Sequence, residues 1–127
     1  MRLGARGWSL AVCLVLMSAG ALASNFSASL KNYYAQFEIV VACEEQAQLS
    51  EAEADAAEAA IDKIESYYLK KDASIDKDHL LDLAEADRDE GFRIMGRSGG
   101  GLRPYCRQSL RELLMKAEEI APVASEH

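Results

Sequence analysis

The residues with the clearest potential for chemistry in this sequence are its cysteines. The chain has three, Cys13, Cys43 and Cys106, and Cys13 lies within an N-terminal apolar run. No C-x-x-C motif or Cys/His metal spacing occurs. If the N-terminal run is removed on export, an even pair remains, and an even pair in an oxidising compartment favours one disulfide. The sequence therefore predicts a Cys43–Cys106 bridge, with two free thiols as the alternative.

A second group of residues suits an anionic ligand. Arg97, Arg103 and Arg107 flank three consecutive glycines and the predicted start of a helix. Free backbone amides and the positive dipole end make a helix N-terminus attractive to carboxylates and phosphates. We therefore predict that these arginines bind an acidic protein surface or an anionic envelope component. The alternative is that they pair internally with acidic residues at the same end of the fold, namely Glu44, Glu45 and Glu51.

A third group could hold a transition metal. Asp78, His79 and Asp82 are spaced to share one face of a helix, and imidazole and carboxylate groups are common metal ligands. The alternative is a solvated face of an acidic helix. Positions six and twelve of an EF-hand loop require Gly and Glu, and no such loop begins at Asp72 or Asp76.

Enzymatic motifs are scarce. No G-x-S-x-G, G-x-G-x-x-G or P-loop sequence occurs, and His79 and His127 are the two histidines of the whole chain. Catalytic triads need a base, usually histidine, beside the nucleophile. The sequence therefore favours a non-enzymatic protein without a cofactor, and a small enzyme of unidentified chemistry is kept as an alternative.

The N-terminus has the three parts of a secretory signal peptide. Arg2 and Arg6 provide a positive start, an apolar run follows from Trp8 to about Met17, and small residues end at Ala23. The run is shorter than the roughly 20 residues that span a bilayer. We therefore predict a signal peptide over residues 1–23, with an uncleaved anchor as the alternative. The mature protein would be secreted, into the periplasm of a bacterium, without a membrane span.

The rest of the chain is predicted to be helical. Apolar residues recur at steps of three and four in four segments, which is typical of amphipathic helices. The predicted helices cover residues 25–45, 51–70, 76–90 and a segment from Leu102 that Pro122 ends, and residues 91–96 are left open. Ser50 and Glu53 have the spacing of a capping box at the second helix.

The predicted disulfide agrees with a four-helix arrangement. Cys43 closes the first predicted helix and Cys106 opens the fourth, and in an up-down bundle these two ends lie side by side. The predicted fold is therefore an all-α, four-helix up-down bundle closed by one disulfide. It comprises a helical domain over residues 24–121, preceded by the signal peptide and followed by a disordered tail over 122–127.

Charge is unevenly distributed along this chain of 127 residues and net charge −7. Residues 38–90 contain 17 acidic and five basic side chains, whereas residues 91–116 contain six basic and one acidic. Nucleic-acid binders usually carry a basic surplus, so the overall acidity argues against that class. The basic segment is complementary to the acidic helices within the same chain.

These features favour an exported helical protein that binds a macromolecular partner. In size and in its single disulfide it resembles, in type, the small helical acid-stress chaperones of the periplasm. The resemblance implies a mechanism in which acid protonates the carboxylates, the bundle loosens, and its apolar stripes hold unfolding proteins. An anion- or metal-binding periplasmic module is the alternative.

Overall fold

The structure is a computed structural model that describes residues 25–97 and 101–125, with side chains described as far as residue 120. The predicted signal peptide lies outside the described residues, as do residues 98–100 of the glycine loop and residues 126–127 of the predicted tail. Within the described part the chain is all-α, with four helices and no strand. The described part of α1 covers residues 25–45, and the others are α2 (Glu51–Lys71), α3 (Lys77–Met95) and α4 (Leu102–Ser125).

Local capping sets where α2 and α3 begin. The predicted capping box is present: the Ser50 hydroxyl accepts the Glu53 N–H at 3.1 Å, and the Glu53 carboxylate accepts the Ser50 N–H at 2.9 Å. At α3 the Asp76 carboxylate accepts the N–H of His79 at 3.2 Å. Asp76 is therefore the N-cap of α3, which begins at Lys77.

Two helices extend further than the sequence indicates. α3 continues through Gly91 to Met95, which settles the segment that the sequence left open. The ring of Tyr105 occupies the space beside Gly91, so this glycine permits a close approach of α4. α4 runs to Ser125, past Pro122, where the sequence predicts the helix to end. A proline lacks the backbone N–H that would donate to the preceding turn of the helix. Pro122 lies three residues before the end of α4, so few residues of the helix follow it.

Three of the helices build most of the core. Leu30 and Val40 of α1, Ile64 of α2 and Leu113 of α4 are fully buried. α4 packs more extensively against α2 than against α3. The buried residues of α3 are Leu80 and Ala84 alone. The core is therefore centred on α1, α2 and α4, and α3 lies against its side.

Contacts between helix ends fix how the helices lie relative to one another. Phe26, near the described start of α1, packs against Tyr68 near the end of α2, with ring centroids 6.4 Å apart. Phe92, near the end of α3, meets Tyr105 at the start of α4 with centroids 6.0 Å apart. The Sγ atoms of Cys43 and Cys106 lie 2.10 Å apart, at disulfide-bonding distance, so the end of α1 lies beside the start of α4.

Candidate functional site

The disulfide closes one end of the bundle and is sealed from solvent. Cys43 and Cys106 are both 0% exposed, with Cα atoms 6.0 Å apart across a sequence separation of 63. Both cysteines continue the apolar stripes of their helices, so the bridge is part of the core. The predicted pair is therefore present, and its place at the junction of α1 and α4 is the predicted one.

The predicted anion-binding arginines are not gathered into one site by the described residues. Arg107 donates to the Glu53 carboxylate at 2.6 Å, which ties the first turn of α4 to the first turn of α2. Arg97 follows the end of α3 and Arg103 lies in the first turn of α4; both are exposed, and neither forms an ion pair with a described residue. Of the three arginines, Arg107 therefore forms an ion pair within the described part of the bundle.

The acidic partner of Arg107 differs from those considered in the sequence. Glu44, Glu45 and Glu51 form no ion pair among the described residues, whereas Glu53 pairs with Arg107. Hydrogen bonds from Ser50 and the neighbouring Arg107 charge lower the pKa of Glu53, with the Ser50 N–H as the largest cause. Glu53 therefore supports both the start of α2 and the contact of α2 with α4.

The predicted metal ligands lie on the outer surface of α3. Asp78, His79 and Asp82 are all exposed, and the His79 backbone N–H is used by the Asp76 cap. Among the residues that the structure describes, no group of three or more His, Cys, Asp or Glu side chains is close enough to hold a metal ion. The geometry adds nothing to the metal hypothesis, which stays a prediction.

An open cavity of about 330 Å³ separates the first turns of α1 and α3. Its lining combines small, apolar and charged side chains, namely Ser27, Ala28, Lys31, Asp76, His79, Leu80 and Leu83. The cavity marks incomplete packing between α3 and α1, and Leu83 is 41% exposed at its edge.

Ion pairs join α3 to the rest of the protein along its length. Lys77 at its start pairs with Glu65 of α2 at 3.2 Å. Midway, Asp87 pairs with Lys31 of α1 at 3.0 Å. Beside it, Arg88 pairs with Glu38 of α1 at 3.0 Å, and this pair is the least exposed, at 27% and 22%. Each of these three inter-helix ion pairs contains one carboxylate.

Glu65 is the point where three helices meet. One carboxylate oxygen accepts the Tyr34 hydroxyl of α1 at 2.7 Å, and the other accepts the Lys77 ammonium of α3 at 3.2 Å. Burial, followed by the hydrogen bond to Glu65, raises the pKa of Tyr34 far above its usual value. Tyr34 therefore stays protonated and donates to Glu65 throughout the physiological range.

The contact between α3 and α4 is made by Tyr105. Its ring meets Phe92 edge-on, at an interplanar angle of 81°, and lies against Gly91. Burial, and to a lesser degree the Asp87 charge, raises the pKa of Tyr105. The apolar attachment of α3 includes this aromatic contact, the buried Leu80 and Ala84, and the partly buried Leu81.

An aromatic cluster occupies the end of the bundle away from the disulfide. Tyr68 stacks on Tyr33 with centroids 6.2 Å apart and meets Tyr67 edge-on at 5.2 Å. Lys116 lies over Tyr67 and Tyr68 at 5.8 and 5.9 Å, a separation that suits a cation–π contact. The cluster joins α1, α2 and α4, and α3 takes no part in these ring contacts.

Comparisons with known proteins give no relative from which a role could be transferred. Searches against family models, curated proteins and solved structures found no match. In the described part of the chain, no helix combines the length and the apolar character needed to cross a membrane. The geometry is therefore interpreted from its own residues.

The sequence did not predict the ion pairs of α3. Acidic and basic residues on α1 and α3 are visible in the sequence, but Lys31–Asp87 and Glu38–Arg88 are separated by about fifty residues. A partner for such a charge is defined only after the helices dock. The available signal was the charge complementarity between acidic and basic positions on predicted helix faces.

Proposed function

We propose that this chain is an exported, up-down four-helix bundle that binds non-native protein under acid stress. The apolar surface that the folded bundle covers would form the binding surface. The signal-like residues 1–23 and the single buried disulfide support export to an oxidising compartment such as the bacterial periplasm. The proposed partner is a macromolecule, and the proposal requires no catalytic residue or cofactor.

The attachment of α3 is the observation that carries this proposal. α3 buries two residues, Leu80 and Ala84, and its other links to the bundle include three ion pairs. Each pair depends on a charged carboxylate, so protonation of the carboxylates in acid removes all three pairs. A bundle attached in this way loosens over the pH range in which exported proteins of an acid-exposed cell begin to unfold.

The change in net charge acts in the same direction. The chain predicted to remain after removal of residues 1–23 has 12 basic and 21 acidic side chains. Protonation of the carboxylates converts this surplus of negative charge into a surplus of positive charge, which disfavours the compact state. Compact states with loosened packing expose hydrophobic surface, and such surface binds the apolar segments of unfolding proteins.

The proposal is tested by light scattering of an aggregation-prone test protein at about pH 3 and at about pH 7, because carboxylates are protonated between these two values. The chain from Ser24 onward is expected to suppress aggregation at the acidic pH and to have no effect at the neutral pH. A protein that stays fully folded at the acidic pH and suppresses nothing would contradict the proposal.

Export is tested separately. Expression of the whole chain in a Gram-negative host is expected to give a periplasmic product whose first residue is Ser24. A full-length product retained in the membrane or the cytoplasm would contradict the proposed signal peptide.

A second function, binding of an anionic partner at the arginine end, is favoured by the two unpaired arginines. Arg97 and Arg103 are exposed and form no ion pair with a described residue, whereas Arg107 is held by Glu53. The Arg103→Glu variant is expected to weaken phosphate or acidic-peptide binding without changing the melting temperature. Arg107→Glu serves as the matched variant that lowers stability. Absence of measurable anion affinity in the parent protein would remove this second function.

A further inference from the structure

We infer that α3 is an acid-released lid: it leaves the bundle as a unit on acidification, while α1, α2 and α4 stay together. This inference rests on the proposed function, for which it identifies the moving part and the trigger. Whole-bundle loosening would treat the four helices alike, whereas burial in this structure differs between them: α2 has five buried residues and α3 has two.

The three-helix body has attachments that acid does not remove. The buried Cys43–Cys106 bridge joins α1 to α4 covalently. Ile64 of α2 and Leu113 of α4 are fully buried, and α4 packs more extensively against α2 than against α3. Apolar burial and a disulfide are independent of the protonation of carboxylates. These three helices therefore remain associated at a pH at which the ion pairs are lost.

The apolar attachment of α3 is much smaller. Leu80 and Ala84 are its buried residues, while Leu83 and Ile94 are 41% and 52% exposed. The cavity of about 330 Å³ beside Leu80 removes packing at the first turns of α3. Phe92 adds an edge-on contact with Tyr105 at the other end. A helix with so little buried surface depends on its ion pairs to a larger extent than its neighbours do.

Cations and a hydroxyl face the three carboxylates across the helix interfaces, and the charge of Asp78 of α3 also acts on Tyr34 beside Glu65. Glu65 faces Lys77 of α3 and the Tyr34 hydroxyl of α1. Glu38 of α1 faces Arg88 of α3. Asp87 of α3 faces Lys31 of α1, and its charge also acts on Tyr105 of α4.

Protonation of these carboxylates leaves the cations without a partner across the helix interface. Arg88 also pairs with Asp89 on α3 itself, and the charge of Glu85 acts on it, but both acidic residues belong to α3 and do not join it to the other helices. His79 of α3 lines the cavity together with Lys31 of α1. Loss of the carboxylate partners disfavours the docked position of α3 as the pH falls.

The surface that α3 covers lies on α1. Ala28 and Lys31 line the cavity with residues of α3, and Lys31 and Glu38 form ion pairs with α3. Ala35 lies on the same helical face, because positions three or four residues apart on a helix are neighbours. Ala35 is 8% exposed in the folded bundle. Departure of α3 exposes this face of α1.

A triple variant that imitates protonation tests the inference at neutral pH. The variant combines Glu38→Gln, Glu65→Gln and Asp87→Asn, and the matched control makes the same charge change at three exposed positions, Asp55→Asn, Glu58→Gln and Asp82→Asn. Hydrogen exchange is measured by mass spectrometry on peptides from each helix. Partly exposed ion pairs contribute up to about fivefold each to an equilibrium constant, so exchange in residues 77–95 is expected to rise about tenfold or more in the triple variant only.

Two results would overturn the inference. One is an equal rise in exchange in all four helices, and the other is exchange in α3 that matches the control variant. If the triple variant does not fold, the unaltered protein is measured at about pH 4.5 and about pH 7, with correction for intrinsic exchange, and the same selectivity for α3 is required.

Aggregation assays on the triple variant separate the lid from the proposed function. Suppression of aggregation at neutral pH together with rapid exchange in α3 supports both. Selective exchange in α3 without suppression of aggregation supports the lid and contradicts the proposed function. Suppression of aggregation while α3 remains protected contradicts the lid and leaves the proposed function standing.

Discussion

Glu53 connects helix capping to helix packing within one side chain. Its carboxylate accepts the Ser50 N–H at 2.9 Å and pairs with Arg107 at 2.6 Å. Replacement of an N-cap serine by alanine usually costs about 1 kcal/mol. Ser50→Ala is therefore expected to lower the free energy of unfolding by about that amount, measured by urea denaturation at neutral pH. An unchanged midpoint would show that α2 starts without help from its cap.

Because the pKa of Glu53 is lowered in the folded protein, its contribution to stability depends on pH in a defined direction. A carboxyl group whose pKa is lower in the folded state stabilises the protein at pH values above its ordinary pKa. That stability is lost as the pH falls through the pKa of the folded state. Glu53→Gln keeps an acceptor for the Ser50 N–H but removes the titration. The stability difference between parent and variant is expected to shrink below about pH 4.5, as measured by denaturation at several pH values. A constant difference would contradict this assignment.

Glycine is suited to position 91 because the side chain of Tyr105 lies against it, and not because the backbone there is strained. A Cβ at this position would lie 2.1 Å from the Tyr105 hydroxyl oxygen and 3.2 Å from the ring carbon that carries it. Alanine favours a helix over glycine by about 1 kcal/mol, so the clash and the helix propensity oppose each other. Tyr105→Phe removes the nearer clash. Gly91→Ala is therefore expected to be more favourable in the Tyr105→Phe background than in the parent, by about 0.5–1.5 kcal/mol.

A double-mutant cycle on thermal or urea unfolding measures this coupling. The control is Gly91→Ala combined with Tyr67→Phe, which removes a tyrosine hydroxyl at the other end of the bundle. Equal effects of Gly91→Ala in the parent and in the Tyr105→Phe background would show that the tyrosine ring moves away without loss.

Local residue patterns predicted the local structure well, whereas they did not identify the long-range ion pairs. Ser50 and Glu53 are three residues apart, and three-residue spacing suffices to define a capping box. The partner of Arg107 is 54 residues away and depends on how α2 docks against α4. The glutamates predicted as partners lie at the correct end of the bundle. The sequence indicates which helix ends are neighbours, but it does not show how each helix is rotated about its axis.

At the scale of the helices, periodicity predicted number and approximate bounds. α2 was predicted over 51–70 and covers Glu51–Lys71. α3 was harder, because Gly91 and the surrounding acidic residues obscure its apolar stripe. Gly91 lies against the Tyr105 side chain of α4, and such a long-range contact cannot be seen in sequence periodicity. The light packing of α3 likewise follows from the position of the other three helices.

The disulfide sets the register between α1 and α4. Its loop spans 63 residues, and closure of a loop of this length stabilises by about 4 kcal/mol in the chain-entropy account. Replacement of Cys43 and Cys106 by alanine is expected to lower the free energy of unfolding by about 2–5 kcal/mol, because native disulfides of small exported domains contribute that much. Denaturation of the parent with and without reductant provides the matched measurement.

Mass spectrometry provides the independent control for the bridge. The unreduced exported protein is expected to be lighter than the reduced protein by two hydrogens. Two thiols that react with an alkylating agent in unreduced, denatured protein would contradict the bridge.

At the scale of the whole molecule, two electrostatic effects act at different pH values. The sequence pI is about 4.8, so the net charge is small in the range in which carboxylates first take up protons. Repulsion is weak there, and the loss of ion pairs governs release of α3. At lower pH the carboxylates are neutral while the basic side chains remain charged, so repulsion governs the three-helix body.

Salt therefore affects the two stages in opposite directions. Salt screens attraction between partly exposed charges, which weakens the ion pairs of α3 and moves its release to higher pH. Salt also screens repulsion between like charges, which stabilises the positively charged body and moves its unfolding to lower pH. Acid titrations at about 20 mM and about 300 mM NaCl, with Debye lengths of roughly 20 and 6 Å, are expected to spread the two transitions apart.

Two probes follow the two stages separately. Hydrogen exchange of residues 77–95 reports on α3, and hydrogen exchange of residues 51–71 reports on the body, because α2 contributes five buried residues to the core. A single transition seen by both probes, or two transitions that salt moves in the same direction, would mean that attraction and repulsion act on one cooperative unit. If salt moves the midpoints of the two acid transitions in opposite directions, α3 is released separately from the disulfide-linked body of α1, α2 and α4.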